Sequence, residues 1–207
     1  MRSLEGFILA GGASSRMGTD KAELQLGKQT FVDRIAAALR GITPKVSVVG
    51  AAATSANAGL NSVPDVFEKW GALGGLHGAL CACQAPWAAV VACDLPFVTA
   101  ALFGRLASLC RGYDAVAPVQ PDGRPQPLCA LYRVSVCRDQ ADKLIRAGQR
   151  RPVMLLETVN TRWVSFAELT DLVGAALFFD NINTPDDYAR AKNKEQLRVE
   201  AMNEADG

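Results

Sequence analysis

The sequence contains a single histidine, His77, and carries a net formal charge of only +1. One histidine excludes a zinc site built from several histidines, and it disfavours a hydrolase triad that uses histidine as its base. A balanced charge gives the chain no general attraction for nucleic acid or for an anionic membrane. An anionic ligand would therefore need a local binding site.

Long apolar runs are also missing, since no stretch of about 18 uncharged apolar residues could span a bilayer. The N-terminal segment reaches Glu5 and the pair Gly11-Gly12 too soon for the apolar core of a signal peptide. The six cysteines are scattered without a Cys-x-x-Cys pair, which favours reduced core thiols over the alternative of disulfides. These features predict a cytoplasmic protein that binds neither nucleic acid nor membrane.

Apolar residues make up 49% of the chain, which is enough for a substantial core. Strand and helix patterns alternate, and this order predicts an α/β fold with a mainly parallel sheet. The segment 51–61 reads as a loop or weak helix, and the last ten residues are expected to fray. The strands are predicted over 7–10, 45–49, 88–93, 115–117 and 128–132, and the helices over 31–40, 99–110, 135–147 and from Thr184-Pro185 onward.

A glycine-rich segment over 9–21 follows the first predicted strand. Glycines let backbone N–H groups approach a phosphate closely, and Arg16 and Lys21 add the positive charge that a triphosphate needs. Gly18 is not followed by Lys-Ser/Thr, so the segment is not a Walker A loop, and it is not a Gly-x-Gly-x-x-Gly fingerprint either. A purely structural turn is the alternative, but the spacing of Arg16, Gly18 and Lys21 favours a phosphate site.

Polar side chains follow two further predicted strands. Asp94 comes directly after the strand over 88–93, where a carboxylate serves as a turn cap or as a ligand of a hard metal ion. Because the glycine-rich segment earlier in the chain is a predicted phosphate site, a magnesium ligand is favoured over a turn cap. Near the C-terminus, Asn181 and Asn183 are two residues apart and should point the same way in an extended segment. One alternative makes Asn183 or Thr184 the N-cap of the last helix.

Taken together, these motifs resemble the molybdenum cofactor guanylyltransferase family, within the sugar-nucleotide type of nucleotidyltransferases. The matching motifs are LAGG-ASS-RMG-TDK at 9–21, CDLP at 93–96, Arg150-Arg151 and DNINTPDDYARA at 180–191. The combination of LAGG with NINTP is similar to the guanylyl branch, because cytidylyl relatives tend to read LAAG.

The resemblance implies a three-layer Rossmann-like sandwich with a mostly parallel sheet, of the nucleotide-diphospho-sugar transferase type. It implies one domain over residues 1–207. Within it, residues 1–110 would form the half that binds GTP and magnesium, 111–192 the half that binds molybdopterin, and 193–207 a polar tail.

The resemblance further implies that GMP passes from GTP to molybdenum-molybdopterin with the help of Mg²⁺, which Asp94 would bind. Catalytic roles fall to Arg16, Lys21 and Asp94, and molybdopterin contacts to Arg151, Asn181 and Asn183. Molybdenum-insertion proteins or apo-molybdoenzyme chaperones are expected as transient partners. The alternatives are a cytidylyltransferase, a sugar-phosphate nucleotidyltransferase and a non-catalytic nucleotide-binding module. The GTP contacts implied by the resemblance are Leu9, Ala10, Gly11, Gly12, Lys21, Asp65 and Asp94.

Overall fold

The computed structural model describes residues 3–10, 24–50, 59–64, 67 and 70–205, with the side chains of the last helix described as far as Leu197. Its strands are β1 (Leu4–Leu9), β2 (Gln25–Leu26), β3 (Gln29–Thr30), β4 (Val46–Val49), β5 (Asn61–Val63), β6 (Trp87–Ala92), β7 (Ala115–Pro118), β8 (Cys129–Arg133) and β9 (Thr161–Val164). Its α-helices are α1 (Phe31–Arg40), α2 (Ala72–Ala82), α3 (Ala100–Ser108), α4 (Val134–Arg146), α5 (Val153–Thr158) and α6 (Pro185–Ala205). Two short 3-10 helices span Phe166–Leu169 and Ala175–Leu177.

Seven strands form one sheet in the order β5-β4-β1-β6-β8-β7-β9, while β2 and β3 form a separate hairpin. Neighbouring strands in the sheet are parallel except where β8 pairs antiparallel with β6 and β7. All six residues of β6 are buried, as expected for a parallel strand that is covered on both faces. The predicted α/β fold with a mostly parallel sheet is confirmed.

Helices cover both faces of the sheet and produce the three-layer arrangement. On one face α1 and α3 pack with alternate strand residues such as Ile8 and Val91. On the other face α2, α4 and α5 pack with Phe7 and Val90. Side chains of successive strand residues point to opposite faces, so each central strand contributes to both cores.

Local signals place the ends of two helices where the sequence predicts them. Thr30 and Asp33 form a capping box at the start of α1, and Arg40 lies in its last turn. The Thr99 side chain caps α3 by accepting a hydrogen bond from the Leu102 N–H.

Several features differ from the sequence-based expectations. Strand β5 begins at Asn61, the last residue of the segment expected to be loop or weak helix, and neither β5 nor β9 nor α5 was predicted. The last helix, α6, extends to Ala205 and so into the last ten residues, which were expected to fray. The helix is held by Ala191, which packs in a small apolar cluster, and by Glu195, which pairs with Arg34. Within the described residues, no helix combines the length and apolar character needed to cross a membrane.

Candidate functional site

The carboxyl ends of β1 and β6 lie side by side at one edge of the sheet. Leu9 is in register with Ala92, and the Cys93 N–H donates to the Leu9 carbonyl at 3.0 Å. The Ala10 N–H donates to the Val49 carbonyl at 3.0 Å, which continues the pairing onto β4. Because adjacent strands lie about 4.8 Å apart, the carboxyl ends of β1 and β6 are immediate neighbours.

Asp94 lies in the tight turn that follows β6. The Leu95 N–H donates to the Ala92 carbonyl at 3.3 Å and closes this turn. The Asp94 residue is half-buried, and its Oδ1 atom is buried and accepts no hydrogen bond from the residues that the structure describes. The turn therefore holds a carboxylate next to the end of β1.

The segment 181–183 lies against this turn. The Ile182 N–H donates to the Asp94 carbonyl at 3.0 Å. Ile182 is buried with Phe31 and Phe97 in the small apolar cluster, whereas Asn181 is exposed and Asn183 is half-buried. This alternation agrees with the prediction that the two asparagines share one side of an extended segment, and the hydrogen bond brings them next to Asp94.

The start of α6 is capped by Thr184, and not by Asn183. Thr184 Oγ1 accepts a hydrogen bond from the Asp187 N–H at 3.1 Å. The Asp187 carboxylate in turn accepts from the N–H groups of Asn183, at 3.0 Å, and Thr184, at 2.9 Å. Hydrogen bonds from the Thr184 side chain and from these two N–H groups lower the pKa of Asp187.

Arg151 does not share the surroundings of the two asparagines. It precedes α5, which packs on the sheet face opposite to α1, whereas Ile182 packs with Phe31 of α1. Its Nη2 atom lies 3.4 Å from Met154 Sδ. The neighbouring Arg150 stacks over the Trp70 ring at 4.7 Å.

A groove of about 260 Å³ adjoins Asn181. Each of its three cations faces a carboxylate, and the pairs are Arg124–Asp122, Arg190–Asp187 and Lys194–Asp180. The sequence analysis did not identify these cations as site residues. Two of them have a recognisable signal, since Arg190 and Lys194 are four apart and lie on one side of α6.

The remaining predicted site residues, Gly11, Gly12, Arg16, Lys21 and Asp65, lie outside the described residues. Within the described ranges, no group of three or more histidine, cysteine, aspartate or glutamate side chains is arranged to hold a metal ion. A metal at Asp94 would thus depend on ligands from a substrate or from outside these ranges.

The histidine and five of the six cysteines are buried in the fold, whereas Cys81 is exposed. All six cysteines are free, and burial raises the pKa of Cys83 and of Cys137 to about 12, so both are neutral thiols at neutral pH. His77 is buried in α2, with its ring 5.0 Å from that of Phe67. The free thiols agree with the prediction of reduced cysteines, and all but Cys81 lie in the core as predicted.

Comparisons with known proteins point to the same family over most of the chain. The family model for the MobA-like NTP transferase domain matches residues 6–161. A probable molybdenum cofactor guanylyltransferase from Pelotomaculum thermopropionicum is 33% identical over 193 residues, which cover 93% of each chain. A molybdenum cofactor guanylyltransferase from Rhizobium leguminosarum bv. trifolii is 31% identical over 194 residues, 91% of each chain.

Solved structures show the same similarity in three dimensions. Molybdopterin-guanine dinucleotide biosynthesis protein A from Archaeoglobus fulgidus superposes with a TM-score of 0.76 at 27% identity, covering 91% of this chain and 97% of that one. The 2-C-methyl-D-erythritol 4-phosphate cytidylyltransferase from Thermus thermophilus has a TM-score of 0.69 at 22% identity, covering 95% of this chain and all of that one. The second likeness extends to the fold alone.

Proposed function

The chain belongs to the MobA-like NTP transferase family, and on this premise we propose that it transfers GMP from GTP to the terminal phosphate of molybdenum-molybdopterin. The products are molybdopterin guanine dinucleotide and pyrophosphate. The chain is thus an enzyme, a nucleotidyltransferase of the molybdenum cofactor guanylyltransferase type. The observation that carries this function is the hydrogen bond from Ile182 to Asp94, because it joins the proposed acceptor segment to the proposed metal ligand.

The reaction suits the side chains available at this edge of the sheet. The attacking phosphate oxygen of molybdopterin is already anionic near neutral pH, so the enzyme needs no histidine or cysteine base. The main difficulty is to bring two anions together in the correct orientation, and positioning with charge neutralisation overcomes it. A chain with one buried histidine and raised thiol pKa values is compatible with this chemistry.

Nucleotidyl transfer of this class uses a divalent metal, and we assign Mg²⁺ as the ion and Asp94 as its ligand. Mg²⁺ is usually held by one or two carboxylates together with substrate phosphates, and a half-buried carboxylate at a strand end provides that type of ligand. The bound ion would neutralise phosphate charge.

The donor nucleotide would lie at the end of β1. Leu9 and Ala10 would contact GTP there, together with Gly11, Gly12 and Asp65. Arg16 and Lys21 would stabilise the charge that develops on the departing pyrophosphate. The register of β1 with β6 supports this arrangement, because it brings the end of β1 next to the end of β6, which Asp94 follows.

The acceptor would lie beside Asn181 and Asn183, with Arg151 approaching from the other face. In this proposal, residues 1–110 mainly serve the nucleotide and 111–192 mainly serve molybdopterin. Transient contacts with molybdenum-insertion proteins or apo-molybdoenzyme chaperones would deliver the substrate and accept the product. We also assign the protein to the cytoplasm, since six free cysteines suit a reducing compartment.

A panel of four nucleoside triphosphates with molybdopterin as acceptor tests the assignment, with pyrophosphate and the dinucleotide as readouts. We expect kcat/KM for GTP to exceed that for CTP and ATP by at least about tenfold, or roughly 1.4 kcal/mol of discrimination. Equal or greater use of CTP would assign the protein to the cytidylyl branch. Turnover only with a sugar phosphate as acceptor would contradict the molybdopterin assignment, and nucleotide binding without turnover would indicate a non-catalytic module.

A further inference from the structure

Arg34, on α1, donates hydrogen bonds to several segments of the chain. Its Nη1 and Nη2 atoms donate to Glu195 Oε1 and Oε2 at 2.6 and 2.9 Å. Its Nε atom donates to the Pro96 carbonyl at 3.3 Å, and Nη1 also donates to the Leu26 carbonyl at 3.3 Å. One guanidinium therefore binds three separate segments of the chain.

Two of these segments adjoin described parts of the proposed active site, and the third follows the glycine-rich segment in sequence. Pro96 lies two residues after Asp94, in the turn that follows β6. Leu26 belongs to the β2-β3 hairpin, which follows the glycine-rich segment at a distance of only a few residues. Glu195 lies on α6, which begins directly after Asn181 and Asn183. Arg34 thus links the turn that contains Asp94, the β2-β3 hairpin and the helix that follows the two asparagines.

The surroundings of Arg34 distinguish it from a surface ion pair. The side chains of Arg34 and Glu195 are 12% and 15% exposed, whereas those of the bidentate pair Arg105 and Asp171 are 32% and 64% exposed. The Arg34 guanidinium also lies 5.9 Å from the centre of the Phe97 ring. Removing one partner of such a pair leaves a poorly solvated charge, so its effect should extend to the segments it binds.

Only arginine can make this set of contacts. The planar guanidinium has five N–H donors in a fixed geometry, so that it binds a carboxylate with two of them and still reaches carbonyls with others. A lysine would keep the charge but could not bind Glu195 on two atoms while also reaching Leu26 and Pro96.

We propose that Arg34 is a positioning residue for nucleotidyl transfer, which fixes the Asp94–Pro96 turn and the β2-β3 hairpin relative to α6. Glu195 orients the guanidinium, so the segment predicted as a polar tail contributes to the site through this side chain. The catalytic part of this proposal rests on the proposed function. Its structural part, namely which segments Arg34 fixes, rests only on the contacts of Arg34.

The test compares Glu195→Gln and Arg34→Lys with the matched control Asp171→Asn, which removes the charge of the more exposed pair. We expect both test variants to lower kcat about tenfold, with a smaller change in KM for GTP, because misalignment acts mainly on the transition state. Hydrogen exchange should become faster in residues 25–30 and 94–98 of the test variants. The control should retain wild-type kcat and exchange in these segments.

The outcomes separate this proposal from the proposed function. If the wild type forms no dinucleotide from GTP, the substrate assignment fails, and the exchange measurement alone decides whether Arg34 fixes the two segments. If Arg34→Lys retains wild-type kcat and wild-type hydrogen exchange, the positive charge alone suffices and the proposal is overturned. Equal losses of activity in Glu195→Gln and in the Asp171→Asn control would also overturn it, since they would indicate general destabilisation.

Discussion

Two parts of the candidate site are held together in different ways. Leu9 and Ala92 are fixed by the register of two adjacent parallel strands, and Asp94 follows in a turn closed by a backbone hydrogen bond. The segment 181–183 has a single backbone hydrogen bond to that turn. Otherwise it depends on side chains, such as the buried Ile182 and the Asp187 carboxylate.

This difference predicts how the two parts respond to change. Substitutions on the strand side can remove chemical groups, but the paired backbone preserves the geometry. On the side of 181–183, individual side chains contribute to the position of the segment, so a substitution or a change of protonation acts on geometry as well. The nucleotide side should therefore be rigid, and the proposed acceptor side should be adjustable.

The largest effect is expected for Asp94→Asn, which keeps the shape of the side chain and removes the charge that would bind Mg²⁺. We expect kcat to fall at least about a hundredfold, because a metal contributes several kcal/mol of charge stabilisation. The melting temperature should stay close to that of the wild type, since β6 keeps its pairing. Near wild-type activity in saturating Mg²⁺ would remove Asp94 from the metal site. The matched control is Asp139→Asn on the exposed surface of α4.

A smaller and more selective effect is expected for Asn181→Ala. Loss of one hydrogen bond to the acceptor costs about 1 kcal/mol, so KM for molybdopterin should rise roughly fivefold while KM for GTP stays unchanged. Steady-state kinetics with each substrate varied in turn would measure both constants. A rise confined to KM for GTP would place Asn181 on the nucleotide side and would contradict the division proposed for the site.

The part of the site formed by the ends of β1 and β6 could be predicted from the sequence, because the signals for it are local. The apolar run over 88–93 ends at Asp94, and burial on both faces makes such a run recognisable. Thr99 and Arg40 mark helix ends through hydrogen bonds and charge within one turn. A pattern of this kind does not depend on distant parts of the chain.

The missed features depend on tertiary contacts. Strand β5 has two exposed residues in three, so that only its pairing with β4 identifies it as a strand. The polar composition after Asn193 resembles a disordered end, but Glu195 is held by Arg34, which lies 161 positions away in sequence. Local composition contains no information about such a partner. The same limitation explains why Arg34 carried no signal in the sequence.

The smallest effect concerns the protonation of Asp187, which distinguishes the two parts of the site at low pH. Its folded pKa is lowered by hydrogen bonds from Thr184 and the Asn183 N–H, below the ordinary aspartate value of about 3.9. A group with a lowered folded pKa stabilises the fold above its unfolded pKa, and this contribution is lost as the pH falls through the folded pKa. The Asn183 and Thr184 amide signals in an NMR titration should therefore shift with a midpoint below 3.9. In Asp187→Asn this shift should disappear, and in the wild type the amide of Ile8, which lies in the paired strand β1 between Val48 and Val91, should not follow it. A midpoint above 3.9 would show that these hydrogen bonds do not stabilise the charged carboxylate, and that 181–183 is held without Asp187.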